Sequence, residues 1–421
     1  MAISRGNVRH RISENVWDFL KSLTSTGKLK GASELEQAPL KVAVQQMFSG
    51  GNVTLFPFAR TSLHAILKCM NLPQKSKILM TPITIGPMVE VIESLGHEVV
   101  FVDIETQTYG PNLDDLILKL REGAACFLLT HLFGYVSRVD EAVKLCREAG
   151  VWVIEDISHN LGSRLNGIPL GQWGDVAIYS ASLLKYVDGY NGAFTVTKNQ
   201  DLADELDKYS RLLLSPDEGR IRGVILKTLI WNLALNRWVF NLATWPMLRL
   251  LKFLSSETFE RILGPGIPFV RSKELPSYYF EEITVLQCNA MLHNLNQLPK
   301  RLLDRRKMAS QLNSVINSCC NSINNSMPLT LDSTTFNTYW QYVLPVRSTS
   351  EAREALFAIG VESNTTNLRD LAFEYGIELP GARALKEYCI FIPLHGHLNE
   401  SDYQLIIKCL IDTCNFDCKT L

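Results

Sequence analysis

The sequence predicts an α/β fold, with a mostly parallel sheet covered by helices on both faces, followed by a smaller α+β unit. Three observations carry this expectation. Between residues 55 and 200, short apolar runs alternate with amphipathic helical stretches. Acidic residues stand directly after two of those runs. Turn residues near 264–275 then separate this alternation from a tail of different rhythm. Runs that are apolar at nearly every position suit strands buried on both faces, as in sheets built from βαβ units.

The elements follow in order. Residues 1–50 form a polar, helical lead-in. A helix over Thr61–Asn71 precedes a strand at Lys77–Thr81, and a helix over Met88–Leu95 leads to a strand at Glu98–Val102 that runs into Asp103. Leu113–Leu120 (helix), Ala125–Thr130 (strand), Val139–Ala149 (helix) and Val151–Ile154 (strand) come next, the last meeting Glu155–Asp156 at once. Ligands of such sheets collect at the carboxyl ends of the strands, where Asp103 and Asp156 both fall. Residues 201–212 read as helix. The tail offers a helix over Ile283–Ile316, an Asn/Ser-rich loop at Asn317–Ser326, strands at Tyr339–Val346 and Tyr388–Pro393, and helices at Ser350–Ile359 and Glu400–Asp412. At 421 residues the chain exceeds one ordinary core, so the division expected is 1–272 and 273–421.

Bulk properties exclude several classes. A formal net charge of −1 gives no global field for nucleic acid. The ten cysteines lack zinc-ligand spacing, so no metal is expected, and their scatter suits a reducing cytosol. The first twenty residues lack an apolar stretch before a small-residue cleavage site, which points to a cytoplasmic protein.

Chemistry concentrates in residues 153–197. There a carboxylate closes a strand, a histidine follows three residues later, and a lone lysine, Lys185, lies among apolar residues. A desolvated lysine can act as an amine nucleophile. A strand-end carboxylate could hold a pyridinium nitrogen protonated. Taken alone, a lysine in such a stretch is more often a surface residue.

The joint pattern says more. Val153-Ile154-Glu155-Asp156 is followed by His159, Gly162, Gly167 and Gly171, then by Gly174-Asp175, Tyr179-Ser180 and Lys185 five residues after the serine. Pro57–Ala65, Ser94–Asp103, Thr130–Gly134 and Ile392–His395 with Leu398 add further matches in the same order. The segment resembles the DegT/DnrJ/EryC1/StrS family of pyridoxal-phosphate sugar aminotransferases, and the likeness covers about residues 50–215 and 280–410. The resemblance implies a fold-type I transferase with a seven-stranded-type sheet, pyridoxal 5'-phosphate as cofactor, and a homodimer. It implies Lys185 as the Schiff-base lysine and Asp156 at the pyridine nitrogen. His159 would lie near the phenolic oxygen. Ser180, Arg60 and Thr61 would lie where the phosphate is held, at a helix N-terminus. Ile85 stands where the family stacks an aromatic on the ring, and Arg211-Leu212-Leu213-Leu214 replaces the family's R-N-H-G run.

The activity implied is transfer of an amino group from an amino acid, Glu or Gln, to a keto-sugar. Three alternatives stay open: a dehydratase, C–C or acyl chemistry on the same scaffold, and a regulator that keeps the fold without turnover. Dehydratases of this kind commonly carry His in the lysine's position. One block has no place in this pattern. Arg220–Leu254 holds six Lys/Arg, no Asp or Glu, and Trp231, Trp238 and Trp245 at seven-residue spacing, with Pro246 expected to break it into two helices. No uncharged stretch within it is long enough to span a bilayer. Two readings remain open: helices lying in a membrane interface, or a hydrophobic hairpin buried against the large domain or a partner subunit. The first would put the protein at the inner face of a membrane, with a lipid-linked sugar or polar lipid as substrate.

Overall fold

The computed structural model describes residues 29–255, 257–259, 274–319, 334–366, 368–394 and 398–414. The lead-in before residue 29, most of the 264–275 turn region, most of the loop at 317–326 and His395 lie outside them. Helix α1 (Glu34–Met47) opens the described chain. Seven strands and five further helices follow in order: β1 (Asn52–Phe56), α2 (Ala59–Cys69), β2 (Lys77–Met80), α3 (Gly86–Ser94), β3 (Glu98–Phe101), α4 (Leu113–Arg121), β4 (Cys126–Thr130), α5 (Val139–Glu148), β5 (Trp152–Asp156), β6 (Val176–Ala181), β7 (Gly192–Thr197) and α6 (Gln200–Ser210). The strands form one sheet in the order β1-β7-β6-β5-β4-β2-β3. Strand β7 runs antiparallel to both neighbours, and every other pairing is parallel.

Alternation along each strand assigns its side chains to two faces, and both faces are apolar. Leu79, Phe127, Leu129 and Val153 enter one core, while Ile78, Met80, Cys126, Leu128 and Ile154 enter the other. Helices α2, α3 and α6 cover the second face through Leu63, Ile66, Val89, Ile92, Leu202 and Leu206. Helices α1, α4 and α5 cover the first, joined by the front half of a long helix defined below. Strand β5 extends through Glu155 and Asp156, past its expected end at Ile154, because both residues stay in register with Leu129 and Thr130 of β4.

The insert forms α7 (Glu218–Leu235), a single helical turn at Arg237–Val239, a π-helical turn at Phe240–Thr244, and α8 (Trp245–Leu254). The expected break at Pro246 falls instead at Asn236, whose backbone is extended (ψ 135). Pro246 lies in the first turn of α8, after helical residues. The π turn just before it absorbs the missing N–H and the bulk of the ring.

The long helix α9 (Val285–Cys319) gives Cys288, Met291, Leu295, Leu298 and Leu302 to the first sheet core. Its later residues Ala309, Leu312 and Ile316 enter a third core with β8 (Tyr342–Pro345), α10 (Thr349–Ala358), β9 (Cys389–Ile392) and α12 (Glu400–Cys414). Strands β8 and β9 pair antiparallel, and α11 (Pro380–Tyr388) leads into β9. The tail is therefore the expected mixture of α and β, tied to the sheet by one continuous helix.

Candidate active site

Two adjacent carboxylates close β5, and alternation turns them apart. Glu155 is fully buried. It accepts N–H bonds from Gly171 (2.8 Å), Trp173 (2.8 Å) and Gly174 (2.6 Å), and it meets His131 Nε2 at 2.9 Å. These bonds fix the glycine-rich turn that the motif predicted, where Gly171 needs a positive φ of 93°. Asp156, also buried, accepts the Ser158 N–H (2.9 Å) and the Ser158 hydroxyl on a single oxygen, Oδ1. The same Ser158 hydroxyl accepts the backbone N–H of Ser180 (3.0 Å), so it ties the ends of β5 and β6 together.

Lys185 lies in the loop between β6 and β7. Burial pushes its ammonium down from the ordinary 10.5 to about 8, with the Asp156 charge opposing the shift. Its neighbour Leu184 adopts a left-handed backbone, with φ 73. Such a conformation persists only where its surroundings over-determine it. Here the Leu184 carbonyl accepts the indole N–H of Trp340 (3.0 Å). Beyond the lysine, three polar residues of α9 at seven-residue spacing grip alternate carbonyls of the loop. Arg301 donates to Tyr186 O (2.7 Å), Asn294 to Asp188 O (2.9 Å) and Gln287 to Tyr190 O (3.0 Å). Seven residues make nearly two helical turns, so these side chains share one face. Arg301 also donates to Asn294 Oδ1 (2.7 Å), which stiffens the row.

His159 is buried, and its Nδ1 accepts the Phe133 N–H at 3.4 Å. Its ring stacks on Trp340 with centroids 3.7 Å apart and planes 15° apart. The other edge of this arrangement is Lys185, whose Nζ lies 4.6 Å from the centroid of the same indole. Trp340 thus joins His159, Leu184 and Lys185 from the C-terminal part of the chain. It lies two residues before β8, in the stretch 339–346 that the sequence predicts as strand.

The remaining predicted residues are distributed as follows. Ser180 lies in β6, with its backbone held by Ser158. Arg60 and Thr61 open α2, whose N-cap Phe58 offers no side-chain bond to the first N–H groups of the helix. The Thr61 hydroxyl is already engaged, donating to Tyr279 O at 2.6 Å. Arg60 turns its guanidinium into an aromatic cage, 4.3 Å from the ring centroids of both Phe58 and Tyr279. Burial there pushes its pKa down. At this helix end, then, the main chain is available rather than the two side chains. Ile85 caps α3 and is 41% exposed. Asp103, the other strand-end carboxylate, accepts N–H bonds from Gly381 (2.8 Å), Ala382 (3.0 Å) and Ile104 (2.8 Å), and so caps α11.

The fold is that of the fold-type I aminotransferases. An aminotransferase of Streptoalloteichus hindustanus superposes with a TM-score of 0.70 at 19% identity, over 96% of this chain and 97% of its own. A Streptococcus pneumoniae protein described as a sugar aminotransferase, solved in the PMP form, gives 0.69 at 17% identity over 96% and 98%. By sequence, residues 58–221 match the model of the DegT/DnrJ/EryC1/StrS aminotransferase family. The GDP-perosamine synthase of Vibrio cholerae is 26% identical over 184 residues, 44% of this chain and 48% of that one. The chain spans less than half the length of the curated relatives it matches first.

Proposed function

We propose that this protein is a pyridoxal-phosphate-dependent aminotransferase. It would move an amino group from Glu or Gln to a keto-sugar, nucleotide- or lipid-linked, in polysaccharide or secondary-metabolite biosynthesis. One observation carries the reading: the half-buried Lys185, its amine brought down to about 8 by desolvation, with the charge of the strand-end carboxylate Asp156 acting on it. The donor set suits the cofactor, with an amine for its aldehyde, a carboxylate for its ring nitrogen and an uncapped helix end for its phosphate. When bound, pyridoxal phosphate would supply the aldehyde carbon and an electron-withdrawing ring.

In this reading Lys185 Nζ takes up and returns a proton near neutral pH, which a pKa of about 8 permits and the ordinary 10.5 does not. Asp156, oriented by Ser158 through the bonds to Oδ1, would face the ring nitrogen. His159, its plane fixed by Trp340, would lie beside the ring oxygen. Ser180 and the N–H groups of Arg60 and Thr61 would hold the phosphate, and Ile85 would cover one ring face. The division 1–272 and 273–421, assembly as a homodimer, peripheral membrane contact through 220–254, and a cytoplasmic location at the inner face of a membrane belong to the same proposal.

The test is spectroscopic. Protein loaded with pyridoxal phosphate should show a visible band that shifts when Glu or Gln is added, and Lys185→Ala should abolish both band and shift. A band that ignores every amino donor would sink the reading.

A further inference from the structure

The insert carries two apolar stripes where one would suffice for packing. Along α7 the buried stripe is Ile221, Ile225, Thr228, Asn232 and Leu235. On its exposed side stand Leu226, Ile230, Trp231 and Leu233. The pattern continues with Trp238 (67% exposed), Leu242 (78%), Met247, Leu250, Phe253 (87%) and Leu254 (70%). Exposed apolar surface on this scale marks a contact that the described residues do not supply. No helix among the described residues is long and apolar enough to cross a membrane.

Charge decides what covers this face. Arg220–Leu254 contains six basic and no acidic residues. Three of the basic residues are paired outside the block: Arg220 with Glu281, Arg222 with Glu218, and Lys252 with Glu354. Lys227 and Arg249 are exposed and have no ion pair among the described residues. A two-fold contact confined to this block would bring together two surfaces that carry these cations and no acidic side chain. Interface cores are also depleted in lysine. An anionic lipid surface offers the opposite charge, and its headgroup layer is where exposed tryptophans settle.

We propose that the exposed side of residues 226–254 docks on the surface of an anionic bilayer, without crossing it. The buried side of the insert reaches the lysine loop. Leu235, Phe240, Trp245 and Leu248 form a cluster against which Leu184 and Phe357 pack. Docking therefore sets the loop of Lys185 one side-chain layer from the lipid. If the aminotransferase reading holds, the acceptor is a sugar carried on a lipid rather than a free nucleotide sugar. The docking itself does not depend on that reading.

The experiment uses the full chain and sedimentation with vesicles of phosphatidylcholine, with or without phosphatidylglycerol. Binding is expected only with the anionic lipid, and it should fall steeply as salt rises. Lys227→Gln and Arg249→Gln should each weaken it about fivefold, the usual worth of one basic residue near such a surface. Leu250→Glu with Phe253→Glu should weaken it roughly a hundredfold, as expected for two large apolar side chains kept in water. Absence of binding to anionic vesicles would overturn the proposal. So would a Leu250→Glu/Phe253→Glu protein that still binds vesicles but falls from dimer to monomer by sedimentation velocity, because the face would then belong to a second copy. None of these readouts involves the cofactor, so vesicle binding without transamination would remove the functional reading alone.

Discussion

Asp103 and Asp156 stand at matching points of the fold, each beside the carboxyl end of a parallel strand, and they meet opposite fates. Asp103 is taken up by three backbone N–H groups, two of them at the start of α11. Asp156 gives one oxygen to Ser158 and acts electrostatically on Lys185. The number of main-chain donors around a carboxylate separates a helix cap from a group kept for chemistry. Glu155, next in sequence to Asp156, falls on the cap side of that division with three N–H donors of its own.

The contrast can be broken by substitution. Asp156→Asn should lower amino-transfer turnover by about a thousandfold, within the range of a lost charge or proton-handling group, with little change in denaturant midpoint. A fall of less than about tenfold would mean that Asp156 is another cap. Glu155→Gln should act the other way and cost about 2–3 kcal/mol of stability, because charge-assisted bonds from a buried carboxylate to three amides weaken at once. Urea unfolding measures it, and an unchanged midpoint would contradict the assignment. Asp103→Ala should cost about 1–2 kcal/mol as a lost helix cap. Turnover should stay within a few-fold of the parent, in contrast to Asp156→Asn.

A pH profile sharpens the same comparison. The amine of Lys185 is neutral, and so nucleophilic, above its pKa, so the rate at which an aldehyde probe adds to it should rise through pH of about 8 and then level. In Asp156→Asn the rise should move to lower pH, since the charge that holds the ammonium up is gone. In Asp103→Ala it should not move. The smallest effect concerns the loop itself. Asn294→Ala removes the middle grip on it, at Asp188 O, and should speed amide hydrogen exchange across 184–190 at a cost of about 1 kcal/mol.

Much of this is legible in the sequence. The buried strands announced themselves as apolar runs, and the spacing from Asp156 through Ser180 to Lys185 pointed to one site. Harder to see was anything that depends on which partner arrives from far along the chain. Trp340 lies 155 residues from Lys185 and reads as an ordinary strand aromatic, yet its indole orders Leu184, Lys185 and His159 together. Gln287, Asn294 and Arg301 stand seven apart, but on a helix rich in polar residues, and nothing local says that three loop carbonyls await them. The tryptophans of the insert misled in the opposite sense. Their seven-residue spacing suggested one face, but the break at Asn236 leaves Trp231 and Trp238 exposed and Trp245 buried.

The central claim is that the Lys185 amine takes the cofactor aldehyde. Incubating the protein with pyridoxal phosphate, reducing with borohydride and mapping peptides by mass spectrometry tests it directly. The account predicts one stable pyridoxyl adduct, on the peptide containing Lys185. An adduct on another lysine, or no adduct at all, would contradict it.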